Sequence, residues 1–146
     1  MIQTESDWDK VLEFVAESLA QTPDLEGNPR WSLEQVAHWV RDDSPTNAAR
    51  VFLAIDAGVW VGISVLTLNR GQTYNFITAV NPSHQGRGIA LALKLEAIKT
   101  AKALGYTKMS TNNLSVNAPM LEVNKKLGFK NLPGRWLMRL KLEPTM

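Results

Sequence analysis

Apolar residues in the first part of the chain recur every three or four positions, the spacing of one face of a helix. This face consists of Trp8, Val11, Leu12, Val15 and Leu19. Ser6 precedes it and is followed three residues later by an acid, which is typical of a helix N-cap. Pro23 ends the pattern, because the residue before a proline disfavours helical geometry. The sequence therefore predicts a first helix that is capped by Ser6 and runs to about Ala20.

A second helix start is indicated by Ser32 and Gln35, whose spacing is that of a capping box. In such a box the two side chains accept hydrogen bonds from each other's backbone N–H groups. Trp31 lies just before the cap and can pack on Val36 as a hydrophobic staple. These signals predict a helix over residues 33–41.

From residue 50 the pattern changes to runs rich in β-branched and aromatic residues, which are typical of strands. Three such runs cover residues 51–55, 60–68 and 73–80. The segments between them contain glycine, asparagine and aspartate and are turn-like. We expect these runs to form an antiparallel meander.

The second half of the chain alternates helices and strands. We predict a helix over residues 89–104, a strand over 106–111, a helix over 118–127 and a final strand over 135–142. Apolar positions that mark the first of these helices are Ile89, Leu91, Ala92, Leu95, Ile98, Ala101 and Leu104. A strand, helix, strand passage implies a parallel pair with the helix on one face. The prediction is one α/β (α+β) domain over residues 1–146, built around a mixed sheet.

Composition limits the chemistry. The 146 residues are 45% apolar and 21% charged, with a formal net charge of only +2, which does not favour nucleic-acid binding. The absence of cysteine excludes disulfides and a thiol nucleophile, and the two histidines, His38 and His84, lie far apart, so we expect no metal site. We find no apolar run long enough to span a bilayer and no signal-like leader, and we therefore expect a cytoplasmic protein with no membrane partner.

The segment from Val80 to Ala90 is the strongest candidate for a site. Gly86 and Gly88 give conformational freedom to the backbone of a turn that leads directly into the predicted helix. A helix start carries N–H groups without internal partners and the positive end of the helix dipole, so it receives phosphate readily. The alternative is an ordinary glycine-rich turn between a strand and a helix.

Two motifs carry a resemblance to a known family. The turn contains Gln85-x-x-Gly88-x-Ala90, and a second block runs from Thr111 through Asn117 and Asn124 to Leu127-Gly128-Phe129. Both blocks, in this order, resemble the GNAT family of N-acetyltransferases, and the resemblance covers roughly residues 51–142.

The resemblance implies a mixed central sheet of the GNAT type, acetyl-coenzyme A as co-substrate and direct attack by a primary amine of a small molecule or peptide. It implies that backbone amides of the turn hold the pyrophosphate and that the amide of Ala79 or Val80 polarises the thioester. The residues expected to bind the cofactor are Thr78, Ala79, Val80, Gln85, Gly86, Arg87, Gly88, Ile89, Ala90, Asn113, Asn117, Met120 and Asn124. Asn117 is also explained as an ordinary helix cap, and Met120 as a core residue.

Two departures from the family pattern affect the prediction. Only a few residues precede Ser6, so the first strand is short or missing, and the open sheet edge favours a homodimer. Asn124 stands where many members of the family carry a tyrosine that protonates the leaving thiolate. An asparagine is not an acid near neutral pH, but it can still donate a hydrogen bond to the sulfur. We take Asn124 and Glu122 as the candidate catalytic residues. The alternative function is a non-catalytic acyl-coenzyme A binding or regulatory module.

Overall fold

The computed structural model describes residues 5–21, 31–40, 47–69, 72–113 and 117–132. Its elements are α1 (Glu5–Gln21), α2 (Leu33–Val40), β1 (Asn47–Asp56), β2 (Val59–Asn69), β3 (Gln72–Val80), a 3-10 turn (Pro82–His84), α3 (Ile89–Ala103), β4 (Met109–Ser110) and α4 (Ala118–Lys126). The predicted final strand over 135–142 and the residues before Glu5 lie outside the described segments.

Helix α1 confirms the predicted apolar face, because Val11, Leu12, Val15 and Leu19 are buried. The predicted cap is wrong. The helix begins at Glu5, so Ser6 lies inside its first turn. Glu5 and Asp7 place negative charge in that turn, where the positive end of the helix dipole favours it.

The capping box of α2 is confirmed. Ser32 N donates to Gln35 Oε1 at 2.8 Å, and Gln35 N donates to Ser32 Oγ at 3.1 Å. Trp31 packs against the core cluster that includes Val36, as expected for the staple. The box fixes where the chain enters this short helix.

Ser32→Ala should lower the free energy of unfolding by about 1 kcal/mol, because it leaves a helix-start N–H without its acceptor. Ser6→Ala is the matched control, since Ser6 is an exposed residue inside α1, and it should change stability by less than about 0.5 kcal/mol. Urea denaturation of the two variants measures both values. An equal loss in the two variants would mean that Ser6 is a cap after all.

The four described strands form a mixed sheet in the order β1-β2-β3-β4. The first two pairings are antiparallel and the pairing of β3 with β4 is parallel, as predicted. One face of the sheet packs on α1 and α2 through a cluster that contains Val15, Ile63 and Ile77. Leu66, Leu68, Ala97 and Ala101 form the cluster between the other face and α3.

Strand β4 is much shorter than predicted. Only Met109 and Ser110 pair with β3, opposite Thr73 and Tyr74. The residues just before them do not extend the backbone ladder: Tyr106 N donates to Ala101 O at the end of α3, and Lys108 O accepts from the Thr73 side chain of β3, from Oγ1 at 2.6 Å. Helix termination therefore takes the N–H that a longer strand would use.

The face of α3 that packs inward also differs from the prediction. The helix buries Leu93, Lys94, Ala97 and Ala101, whereas Leu95 and Leu104 are exposed. Leucine or isoleucine occurs on several sides of this helix, so apolar spacing alone does not select the buried side. The structure places a lysine in that buried stripe.

Candidate functional site

The turn before α3 has an open backbone. Gly86 and Gly88 adopt φ values of +78° and +80°, and an added Cβ would meet nothing within 4 Å at either position. Gly88 is the N-cap of α3 and has no side-chain capping bond. The helical bonds start with Ala92 N donating to Gly88 O, so the preceding N–H groups of Ile89, Ala90 and Leu91 have no carbonyl partner in the helix. The geometry is that of an anion-binding helix start.

Side chains hold the approach to this turn. Asn81 Oδ1 accepts from Ser83 N at 3.1 Å and from Ser83 Oγ at 2.9 Å. The imidazole of His84 lies between Ser83 Oγ, 2.7 Å from Nδ1, and Asp56 Oδ2, 2.8 Å from Nε2. Gln85 Nε2 donates to Val80 O at 3.1 Å. The turn is thereby tied to the end of β3 and to the hairpin between β1 and β2.

A glycine in β2 sets the distance between the sheet and the start of α3. A Cβ at Gly62 would lie 3.1 Å from Leu93 Cδ1, 3.2 Å from Ile89 Cγ2 and 3.3 Å from Ala54 Cβ. Because Ile89 is the first residue of α3, this close packing also positions the turn. The sequence analysis missed Gly62, although a lone glycine inside a strand pattern signals a close approach.

The backbone ladder between β3 and β4 ends after two paired residues. Beyond this point Thr111 Oγ1 donates to Asn75 O at 3.2 Å, and no further rung joins the two strands within the described residues. A bulge precedes the opening, since Val65 pairs with Ile77 and Leu66 with Asn75, which leaves Phe76 as an extra residue. We call the opening between residues 76–80 and 111–113 the cleft.

Backbone direction decides which β3 amides face the cleft. Asn81 N donates to Val61 O at 2.7 Å, so Asn81 turns its backbone groups toward β2. Backbone groups alternate along a strand, and Ala79 therefore also faces β2. Val80 and Thr78 face away from β2, toward the cleft, in agreement with the Gln85 contact to Val80 O.

The side chain of Thr78 belongs to a buried polar ring on the face that carries α3. Thr78 Oγ1 donates to Asn75 Oδ1 at 3.0 Å and lies 2.8 Å from Ser64 Oγ. Asn75 Nδ2 donates to Ser64 Oγ at 2.9 Å. These hydrogen bonds pair the polar side chains next to the bulge with one another. Because the Thr78 side chain is used in this way, the group that Thr78 directs toward the cleft is its backbone N–H.

The second motif surrounds the start of α4. Asn117 is buried and is the N-cap residue of α4, but its side chain makes no capping bond. Asn117 is therefore a helix cap by position, as predicted, but its side chain does not supply the capping bond. Met120 is half-buried, and Glu122 is exposed.

Asn124, also on α4, is buried and bonded at both ends of its amide. Its Oδ1 accepts from Lys94 Nζ at 2.7 Å, and its Nδ2 donates to Asn113 Oδ1 at 3.0 Å. Glu122 and Asn124 are two residues apart, so they point to different sides of the helix. The structure brings Asn113 and Asn124 together and places Glu122 apart from them.

Lys94 is a second residue that the sequence did not lead us to predict. Its side chain is on the buried stripe of α3 with only 2% exposure. Besides the bond to Asn124, Nζ lies 5.5 Å from the centroid of the Phe129 ring. A charged residue three positions before buried Ala97 was the available signal, because it breaks an apolar stripe at helical spacing.

The sequence model described as the Acetyltransferase (GNAT) family matches residues 12–129. Among curated protein sequences no relative is found. Within the described segments no helix has both the length and the apolar character needed to cross a membrane.

Solved structures show the same fold at low identity. Ribosomal-protein-alanine N-acetyltransferase from Brucella melitensis has a TM-score of 0.71 and 20% identity, over 91% of this chain and 85% of that one. The PaiA N-acetyltransferase from Thermoplasma acidophilum in complex with coenzyme A has a TM-score of 0.66 and 19% identity, over 89% and 87%. An aminoglycoside acetyltransferase from an uncultured soil metagenomic sample, in complex with sisomicin, has a TM-score of 0.68 and 14% identity, over 95% and 93%.

Proposed function

Since the chain belongs to the GNAT acetyltransferase family, we propose that it transfers the acetyl group of acetyl-coenzyme A to a primary amine of a small molecule or peptide. The observation that carries the proposal is the open turn at Gly86 and Gly88, which lies next to the cleft between β3 and β4. The domain that performs this function is the whole chain, residues 1–146.

The turn fits a pyrophosphate. Two glycines with positive φ and open space above them let phosphate oxygens approach the backbone closely. The unpartnered N–H groups at the start of α3 supply donors, and the helix dipole favours negative charge there. We assign Gly86, Arg87, Gly88, Ile89 and Ala90 to pyrophosphate binding. Gln85 acts indirectly, because its amide holds Val80 O.

The cleft would take the pantetheine arm and the thioester. Bound acetyl-coenzyme A supplies an activated acyl carbon, whose bond to sulfur breaks as the amine nitrogen bonds to it. Val80 and Thr78 direct backbone N–H groups toward the cleft, and such donors stabilise the oxygen that gains charge in acyl transfer. Ala79 is the weaker candidate, since its N–H faces β2.

On the other side of the cleft, we propose cofactor contacts from Asn113, Asn117, Met120 and Asn124. An asparagine does not release a proton near neutral pH, so Asn124 acts as a donor or a positioning group. The amine attacks in its neutral form, and the leaving thiolate then takes its proton from water or from the amine nitrogen, which becomes positively charged as it bonds to the acyl carbon. The candidate role of Glu122 as a catalytic residue stays a prediction, and its exposed position keeps it out of the proposal.

The acceptor class is limited to amines. The fold neighbours include enzymes named for a ribosomal-protein alanine and for aminoglycosides, so the fold serves both peptide and small-molecule amines. The predictions of a cytoplasmic location and of a homodimer stay predictions.

Amine-dependent thiol release tests the function. The protein should release free coenzyme A from acetyl-coenzyme A at a rate that rises with an added amine, because the acetyl group leaves only when a nucleophile attacks. A thiol-reactive chromophore measures the release over a panel of polyamines, aminoglycosides and peptides with free amino termini. Tight binding of acetyl-coenzyme A, with no amine that releases thiol, would instead support the non-catalytic binding module.

A further inference from the structure

We propose that Asn75 is a positioning residue for the acyl transfer, because its buried side chain holds the bulge of β3 and thereby the backbone N–H groups of Thr78 and Val80. The inference rests on the proposed function and adds a residue that lies outside both sequence motifs. Asn75 is 2% exposed and precedes Phe76, the extra residue at which the register between β2 and β3 shifts.

The polar ring around the bulge is closed, and each of its donors has an acceptor. Asn75 Nδ2 donates to Ser64 Oγ at 2.9 Å, and Thr78 Oγ1 donates its only proton to Asn75 Oδ1 at 3.0 Å. The third contact, 2.8 Å between Ser64 Oγ and Thr78 Oγ1, therefore has Ser64 as its donor. Asn75 Nδ2 also donates to Val65 O at 3.4 Å, so the orientation of the amide is fixed.

The bulge determines which face of the sheet the Asn75 side chain reaches. Side chains alternate between the two faces of a regular strand. Counted back from Thr78, regular alternation would place Asn75 on the face that packs on α1 and α2, where the amide would be buried among apolar side chains. Phe76 packs on that face instead, and Asn75 returns to the side of α3. The bulge and the ring therefore stabilise each other.

The backbone of Asn75 lies where the ladder between β3 and β4 ends. The second and last rung joins Tyr74 to Ser110, so Asn75 and Thr111 are the next residues in register. There a side chain makes the contact, because Thr111 Oγ1 donates to Asn75 O at 3.2 Å. A bulged strand bends and twists more strongly than a regular one. The bulge therefore sets the direction of residues 76–80, which line the cleft.

The direction of residues 76–80 decides where two backbone donors lie. Thr78 and Val80 face away from β2, toward the cleft. The acyl oxygen gains negative charge as the amine bonds to the acyl carbon, and donors stabilise it only if they are already held at hydrogen-bonding distance. Asn75 bonds to β2 and to Thr78 rather than to the acyl group, so its effect on the reaction passes through the bulge.

Asn75→Leu removes the amide and keeps a branched side chain. Leucine is not disfavoured on the apolar face, so the bulge loses the group that holds it. The kcat of amine-dependent thiol release should fall at least about tenfold, because the displaced donors act in the transition state. The dissociation constant for coenzyme A, which has no acyl oxygen, should change less than about twofold.

Ser64→Ala and Thr67→Val complete the test. The first opens the same ring from β2, and it should also lower kcat about tenfold. The second is the matched control between the same strands, because Thr67 is buried and its hydroxyl donates to Tyr74 O at 3.2 Å, outside the ring. Thr67→Val loses a buried hydrogen bond and some stability, but it should keep the wild-type kcat. The amide resonance of Val80 should shift in the two ring variants and not in the control.

The outcomes separate this inference from the function on which it rests. If the wild type releases no thiol with any amine, the proposed function fails and the inference fails with it. If an active wild type is matched in kcat by either folded ring variant, the inference is overturned, and Ser64→Ala decides alone should Asn75→Leu not fold. Equal losses of kcat in Thr67→Val, or of coenzyme A affinity in the ring variants, would show a purely structural ring. A loss of kcat confined to the ring variants supports the inference.

Discussion

Gly88→Glu should abolish the stabilisation that coenzyme A gives to the wild-type protein. At a ligand concentration of about one hundred times the dissociation constant, that stabilisation is roughly 2.7 kcal/mol. The substitution puts a carboxylate where the proposed pyrophosphate lies, and the φ of +80° at Gly88 strains any residue with a side chain. Thermal melting with and without coenzyme A measures the loss.

Gly105→Glu is the matched control, because Gly105 ends the same helix with a φ of +90° and similarly open space. It carries similar strain, about 1–2 kcal/mol, and its charge is unfavourable at the negative end of the helix dipole. The fold should therefore lose at least as much stability as with Gly88→Glu, yet keep the full shift with coenzyme A. If Gly88→Glu kept that shift too, the proposed phosphate site would be wrong.

Gly62→Val should lower the free energy of unfolding by about 1–3 kcal/mol, because the new side chain overpacks a contact that is already tight. Even a Cβ would lie 3.1–3.3 Å from Leu93, Ile89 and Ala54. Relief requires the Leu93 and Ile89 side chains to shift or α3 to move away from the sheet, and we expect the proposed phosphate turn to move with Ile89. Denaturant unfolding and a coenzyme A titration should show losses of both stability and affinity.

A second substitution checks that the strain lies between β2 and α3. Leu93→Val shortens the side chain whose Cδ1 is 3.1 Å from the added Cβ. The double variant Gly62→Val, Leu93→Val should be more stable than the sum of the single effects by at least about 0.5 kcal/mol. Additive losses would show that the new methyl groups fit without displacing α3.

Much of the fold follows from local patterns. The Ser32 and Gln35 box and the three meander strands each lie where turn and capping chemistry predicts. The site turn was predicted for the same reason, because two glycines before a helix specify backbone geometry over a few residues. Local structure of this kind can be predicted from the sequence without knowledge of distant contacts.

The errors arise where distant parts of the chain decide the outcome. The length of β4 depends on which partner takes the Tyr106 N–H and the Lys108 carbonyl. The buried side of α3 depends on its contacts with the sheet. The reason why Lys94 can be buried is seen only when the fold brings Asn124 beside it. The spacing of residues along the sequence does not predict these pairings.

The two rungs between β3 and β4 have a consequence for how such a protein changes over evolutionary time. Backbone ladders form with almost any side chain, whereas the contacts that dock the chain beyond Ser110 onto β3 and α3 are made by particular groups, such as the Thr111 hydroxyl and the Lys94 ammonium. Single substitutions can therefore shift α4 against a sheet that stays intact. A lineage with this architecture is free to vary the position of α4 while the glycine turn before α3 is inherited unchanged.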